Sequence, residues 1–572
     1  IGHDGVGPDR LVGALGTYES AQRDTRTLPP GPRHALDAYA RGVNAYSVGR
    51  SGSSLALEYS AKTLVGRDYR PEPWRPVDSV AWSQLLDWSL ANGVTDEIDR
   101  ILIARHMPLA RVGELYPGAI PEPTAAARER AAFADPSSVP GLLGLRDSVA
   151  AIARITGIPS DQGTDASVTD GLLTARLGSA VAVPSPWYQV GLHCRRVTVR
   201  CPYDVTGLSL SAMPGVIVGS NRLMAWGFSP TAIQPAGLEV VRRRGSADGP
   251  IVATLPDRKA LVLRWGRLAE RPSIAAVLAL DQARSPAGVR SAAARLRLPF
   301  AVVYLDAHGS SGRFPSGTAP RLMSDRSVAA DLLVPHLLNQ RLATQFAEDG
   351  QKTLVGWDHR MSAQHPAAAY FAAVWRNLLA KTFHDEVPQA QWPDGSDRWI
   401  AVVGNLLAKP NASWWDDLST PQVVEHRDDI LRLAMVEARD DLTRIRARDL
   451  REWDWAELHG ATLENPTLSG RLFERGPVPL VGSGDTAAGT HWNPATGYAT
   501  TVAPVARFTA DPRDPGRSRW IVATGVSGHP FARHYTDQLD AWARGDAISW
   551  PSSGPARARA AEEELRLTSP AR

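Results

Sequence analysis

The chain changes texture sharply at Gly163, and this restricts it to folds whose helices and sheets come from separate stretches of sequence. Ahead of that point Leu36, Tyr39, Val43 and Tyr46 recur three or four residues apart, which predicts a helix. A second helical pattern runs from Asp78 to Arg105 behind PEPWRP, with Asp78 as its expected N-cap. Residues 119–163 are rich in Ala, Pro, Ser and Arg and hold one short apolar helix around Leu145–Ile155, so they read as a linker. Beyond Gly163 come short β-branched runs, WYQVGLHC, RRVTVRC, VTGLSL and PGVIVG, punctuated by Gly and Pro. A helical block occupies about Leu332–Val436, followed by strands in YATTVAPVARFTA and SRWIVATG and a short helix in HYTDQLDAWARG. There is no repeat of fixed period. Helices, then strands, then both again favour a layered α+β fold over a βαβ array.

At 572 residues the chain exceeds what one core usually supports, so two domains or one large layered domain are expected. Hydrophobic residues at 43% and charged residues at 22% are ordinary for a globular chain, and no run reaches the roughly 18 apolar residues of a membrane span. The formal charge of +3 is small, and no arginine cluster interleaves with aromatics as a nucleic-acid groove would require. Neither a membrane nor a nucleic acid is therefore an expected partner. Cys194 and Cys201 are too few for a disulfide framework and lack metal-site spacing. With a turn at Arg195-Arg196 the residue opposite Cys194 is Val197, so a buried pair of free thiols is expected. The sequence starts at Ile1 rather than Met, which reads as a trimmed or processed start and leaves the signal-peptide question open.

Several segments, in order, resemble the penicillin acylase family of N-terminal-nucleophile hydrolases. ARGVNAY (Ala40–Tyr46) and PWRPVDSVAWSQLLDWSLANG (Pro73–Gly93) are similar to the family's small-subunit helices. MPGVIVGSNRLMAWGF (Met213–Phe228), GWDHRMSA (Gly356–Ala363), RLFERGPVPLVGSGDT (Arg471–Thr486) and SGHPFARHYTDQLDAW (Ser527–Trp542) are similar to its large subunit. The resemblance implies a four-layer αββα sandwich of two antiparallel sheets between helices. It also implies a precursor that cuts itself into an α/β heterodimer and acts on a small acyl amide, in the periplasm or outside the cell. Residues 1–118 would be the helical α segment, 119–163 the spacer, and 164–572 the β segment with the helical block inserted at about 332–436.

The class needs a Ser, Cys or Thr at the start of the β segment, whose side chain attacks an amide while its own α-amine takes the proton. The Gly163–Thr164 junction in QGTDAS supplies this: Thr164 is the candidate nucleophile, expected at the start of a central strand, and Ser167 a poorer one. Other family features are altered. The family's histidine-bearing segment has no counterpart in LGSAVAVPSPWY (Leu177–Tyr188). The position of the backbone oxyanion donor falls on Pro230, which has no N–H. The asparagine donor falls on Ser324, beside Asp325. Glu97 matches the family's calcium-binding glutamate, but the aspartate positions fall near Gln234 and Gly237, so no metal or other cofactor is expected. His359, His365, His529 and His534 lack ligand spacing and read as packing or capping residues. Two functions follow: an acyl-amide hydrolase, on β-lactam or acyl-homoserine-lactone-like substrates, or an impaired acylase scaffold kept for binding or another reaction.

Overall fold

Short β-branched segments that bury at least one face assemble into sheets, and in the computed structural model they form two of six strands each. The structure describes residues 5–59, 71–91, 93–117, 139–157, 160–199, 201–231, 237–242, 250–254, 259–264, 273–296, 300–315, 325–468 and 470–566. Its first strands are β1 (Ser160–Thr169), β2 (Leu172–Ala180), β3 (Trp187–His193), β4 (Asp204–Leu210), β5 (Val218–Asn221) and β6 (Met224–Pro230). After a small sheet of β7 (Gly237–Arg242), β8 (Ile251–Thr254) and β9 (Lys259–Arg264) come β10 (Phe300–Asp306) and β11 (Ser311–Phe314). A two-stranded pair, β12 (Ala461–Leu463) and β13 (Arg475–Val478), precedes β14 (His491–Trp492), β15 (Thr500–Ala510), β16 (Arg519–Val522) and β17 (Ile548–Ser549).

One large sheet runs β1-β2-β15-β16-β17, with β14 also on β15; the other runs β11-β10-β6-β5-β4-β3. All their pairings are antiparallel. VTGLSL lies in one sheet, and the strands around Arg507 and Ile521 in the other, as the sequence predicts; of PGVIVG only Val218 and Gly219 enter β5, and residues 214–217 precede it as loop. The sheets share a core in which Leu173, Ala175 and Leu177 of β2 meet Met224, Trp226 and Phe228 of β6. They approach closely at Gly227, where a Cβ would lie 2.8 Å from that of Ala166 and 2.9 Å from that of Ala175. Helices flank the pair, giving the α+β sandwich.

Helix Pro30–Ser47 carries the predicted stripe and buries Leu36. The pattern predicted over Asp78–Arg105 forms two helices, Pro76–Ala91 and Val94–Ala104, separated at Gly93, whose φ of +55° lies in the left-handed region that glycine tolerates. Asp78 sits inside the first turn rather than at the N-cap and accepts the Arg75 backbone N–H at 2.7 Å. Residues 118–138 lie outside the described residues. The helix expected near Leu145–Ile155 is longer, Val139–Thr156, and sends Leu142, Leu145 and Ile152 into the sandwich core. The helical block forms a second core, in which Pro366–Phe383 packs beside Arg427–Ile445 around Trp399, Trp414, Trp415 and Trp453. Among the described residues no helix is long and apolar enough to cross a membrane.

The cysteines correct the sequence reading. Cys194 and Cys201 form a disulfide with a Cα–Cα separation of 5.9 Å at the tip of the β3–β4 hairpin, where Cys201 is exposed. The hairpin does not turn at Arg195-Arg196: the Cys194 N–H reaches the Tyr203 carbonyl, and Thr198 pairs with Cys201. The turn therefore lies beyond Thr198; Cys194 pairs with Tyr203 and Cys201 with Thr198, and the disulfide crosses the hairpin between them. Closing so short a loop contributes about 2.5 kcal/mol on the chain-entropy account. The double substitution Cys194→Ser, Cys201→Ser should lower denaturant-measured stability by no more than this.

Candidate active site

The site begins with a break in a ladder. Ser160 of β1 pairs with Gly178 of β2, but the next pair is Asp165 with Arg176, so five steps on β1 match two on β2. The surplus residues bulge outward and carry the Gly163–Thr164 peptide. Two glycines make room for this. Gly163 has a φ of +70°, and a Cβ there would lie 3.0 Å from the Gly489 carbonyl oxygen. At Gly178 a Cβ would fall 1.8 Å from the carbonyl oxygen of Gln162. In return the Gly178 N–H donates to Thr164 Oγ1 at 2.8 Å, fixing the side chain of a residue only 6% exposed. Regular pairing resumes one residue after Thr164, but β1 is an edge strand of its sheet, not the central strand that sequence alone suggests.

Thr164 lies where two cavities of opposite character meet. On one side is a narrow apolar cavity of about 50 Å³ between the sheets, lined by Leu86, Leu177, Trp187, Met213, Phe228 and Phe300 among others. On the other is a polar cleft of about 420 Å³, bounded by Asp165, Arg176, Pro230, Asp394, Arg398 and His491. Thr164 borders both.

A polar network anchors the residue after Thr164. Asp165 accepts Ser229 Oγ at 2.8 Å and faces Arg176 at 3.7 Å. Arg313 donates to Ser229 Oγ at 3.3 Å and to the Pro230 carbonyl at 2.7 Å. Burial pulls the Arg313 guanidinium below its usual pKa, and Asp165 opposes that pull. Arg176 also donates to the Ala487 carbonyl. His491 is half-buried, and its ring makes no hydrogen bond to the described residues. Burial lowers its pKa to about 4 against the pull of Asp394, so the ring is neutral at pH 7.

Pro230 ends β6 at the cleft wall and offers only its carbonyl, as its sequence position implied. Ser324 and Gln234 lie outside the described residues, and Asp325 is exposed. Ser167 sits three residues along β1 from Thr164, paired with Thr174. Glu97 is buried in a two-pronged ion pair with Arg100 at 2.7 and 3.1 Å, and Gly237 begins β7 without a carboxylate. The Glu97 carboxylate is thus already paired, and among the described residues no group of three acidic, His or Cys side chains converges. His365 caps Pro366–Phe383, while His359 contacts Asp331 at 2.5 Å. His534 bridges Asp537 and Glu562, and His529 accepts the Phe531 N–H at 3.3 Å. All four lie outside the cleft lining.

The sequence reading missed Gly178, Asp394 and His491. A glycine inside a strand pattern signals close backbone approach, which could have marked Gly178. No local pattern joins Asp394 and His491 to Thr164, because the chain brings them together from far apart.

The family described as Penicillin amidase matches residues 1–238, 231–328 and 321–559. Acyl-homoserine lactone acylase QuiP of Pseudomonas putida is 23% identical, over 96% of this chain and 85% of that protein. QuiP of Pseudomonas aeruginosa is 21% identical over the same shares. Penicillin acylase 2 proenzyme of a Pseudomonas species is 27% identical over 38% of this chain and 29% of its own. A solved thermostable penicillin G acylase from Alcaligenes faecalis superposes with a TM-score of 0.44 at 14% identity, covering 70% of this chain and 97% of its own.

Proposed function

Because the chain belongs to the penicillin amidase family, we propose that Thr164 is its nucleophile, exposed as a new N-terminus when the protein cuts its own Gly163–Thr164 bond. The protein is an amidohydrolase of acyl amides. One observation carries the assignment to Thr164: the residue lines both the apolar cavity, suited to an acyl chain, and the polar cleft, suited to an amine.

In the first, self-directed reaction Thr164 Oγ1 bonds to the Gly163 carbonyl carbon, the C–N bond breaks, and the nitrogen takes the hydroxyl proton. Water then hydrolyses the resulting ester, leaving a Gly163 carboxylate and a Thr164 bearing both hydroxyl and α-amine. An α-amine has an unperturbed pKa of about 7.7–8.0, so part of it is neutral near pH 7 and can accept the Oγ1 proton. In turnover the hydroxyl attacks the substrate carbonyl, the amine passes that proton to the departing nitrogen, and water releases the acid. The exposed disulfide supports an oxidising compartment, in keeping with a periplasmic or secreted enzyme.

Pro230 supports a second reading, a slow amidase or a binding scaffold. A wall residue without an N–H cannot steady the tetrahedral oxyanion, and loss of one such donor typically costs about a hundred- to a thousand-fold in turnover.

Denaturing mass measurement and N-terminal sequencing test the first reading. Two polypeptides are expected, the larger beginning Thr-Asp-Ala-Ser, with masses that sum to 61.7 kDa after the single cut and to less once the 119–163 spacer is also removed. A cut before Ser167, or amide hydrolysis by a single uncut chain, would remove Thr164 from the role.

A further inference from the structure

The cleft beside Thr164 carries more negative than positive charge. Four carboxylates line it (Asp96, Asp165, Asp394 and Asp397) against two guanidinium groups (Arg176 and Arg398). Both guanidinium groups are held by the protein. Arg176 lies against Asp165 and the Ala487 carbonyl. Arg398 donates to the Leu115 carbonyl and stacks over Tyr116 and Trp399. Asp394 accepts the Ser396 N–H at 3.0 Å and, among the described residues, has no cationic partner. His491 faces the same space and adds no positive charge near neutrality.

From this lining we infer that the cleft selects the amine half of the substrate by charge: it takes an uncharged or cationic amine, with Asp394 as the specificity-determining residue, and rejects one that carries a carboxylate. The inference rests on the proposed reaction, in which the acyl chain fills the apolar cavity and the amine half therefore occupies the cleft. It separates two chemistries that the same acyl pocket would admit. A lactone or simple amide brings no charge to the cleft. A carboxylate-bearing amine, as on a β-lactam nucleus, would lose water beside Asp394, and both guanidinium groups of the lining are already held.

The test uses three amides that share an octanoyl chain: octanoyl-homoserine lactone, its ring-opened carboxylate, and octanoyl-lysinamide. Their affinities are measured by calorimetry on the Thr164→Ala protein, which stays uncut, as the chain is in this structure, and cannot consume them, and their kcat/KM on processed wild type. The carboxylate should bind at least tenfold more weakly than the lactone, about 1.4 kcal/mol, and lysinamide at least as well as the lactone. Asp394→Asn keeps an acceptor for the Ser396 N–H and should narrow the gap between carboxylate and lactone. Equal affinities for those two, or a gap untouched by Asp394→Asn, overturns the inference. Lack of turnover on wild type with the binding order intact overturns the proposed reaction and leaves the charge selection standing.

Discussion

Thr164→Ala is expected to leave the chain whole at 61.7 kDa and to lower amide turnover by roughly a million-fold, the scale seen when a protease loses its nucleophile. Both effects follow from one hydroxyl. Without it nothing attacks the Gly163 carbonyl, so no α-amine is freed, and nothing attacks a substrate either. Thr164→Ser keeps the hydroxyl and its acceptor role toward the Gly178 N–H, and should retain cleavage. The alanine variant also leaves that buried N–H without its 2.8 Å partner, at a cost of about 1–3 kcal/mol. Urea unfolding of both variants separates this structural loss from the chemical one. The pair also decides between the two readings. Robust wild-type turnover that disappears in Thr164→Ala retires the slow-amidase view built on Pro230, whereas feeble wild-type turnover unchanged in the variant supports it.

The second large effect is expected from Gly178→Ala, a single methyl on the neighbouring strand. The added carbon would meet the Gln162 carbonyl oxygen at 1.8 Å, a backbone atom that cannot swing aside as a side chain can. Either the bulge collapses or the strands part. Overpacking of this kind costs about 1–3 kcal/mol or more, and here it also displaces the peptide to be cut. Processing followed on denaturing gels should slow at least tenfold, with a fall in the urea midpoint. Gly144→Ala is the control. It lies inside helix Val139–Thr156 with nothing within 4 Å of the added carbon, so it should process normally and gain up to about 1 kcal/mol. Normal processing in Gly178→Ala would show that the bulge does not set the geometry of cleavage.

The layered architecture was legible because periodicity is a local property. Leu36 to Tyr46 and the short run VTGLSL of β4 state their own structure through spacing alone. The Gly163–Thr164 junction was singled out by position, between a linker and the first run of strands, and it lies at the irregularity of β1. What failed depended on partners distant in sequence or on the register of a turn. The cysteines were misread because moving a hairpin tip by a few residues changes which side chains face each other. The edge position of β1 depends on β15, more than three hundred residues later. The charge of the cleft is set by residues far apart in the chain, Asp96 and Asp394 among them, and no window of sequence contains it.

The shared core described above also bears on how the protein lasts. Leu11, Leu36, Trp88 and Ile98, from before Gly163, are buried with Trp226, Val302 and Phe508 from after it. The helix Val94–Ala104 reaches further, with Ile98 in the sandwich core and Ile103 in the helical one. Once the junction is cut, folding is no longer a property of one chain. Two polypeptides that met at the high effective concentration of a tether would have to find each other at their bulk concentration. The mature protein would then be a structure assembled once. Its working life would depend on how slowly the interlocked core opens, and its melting would be irreversible at any ordinary dilution, however reversible that of the uncut precursor.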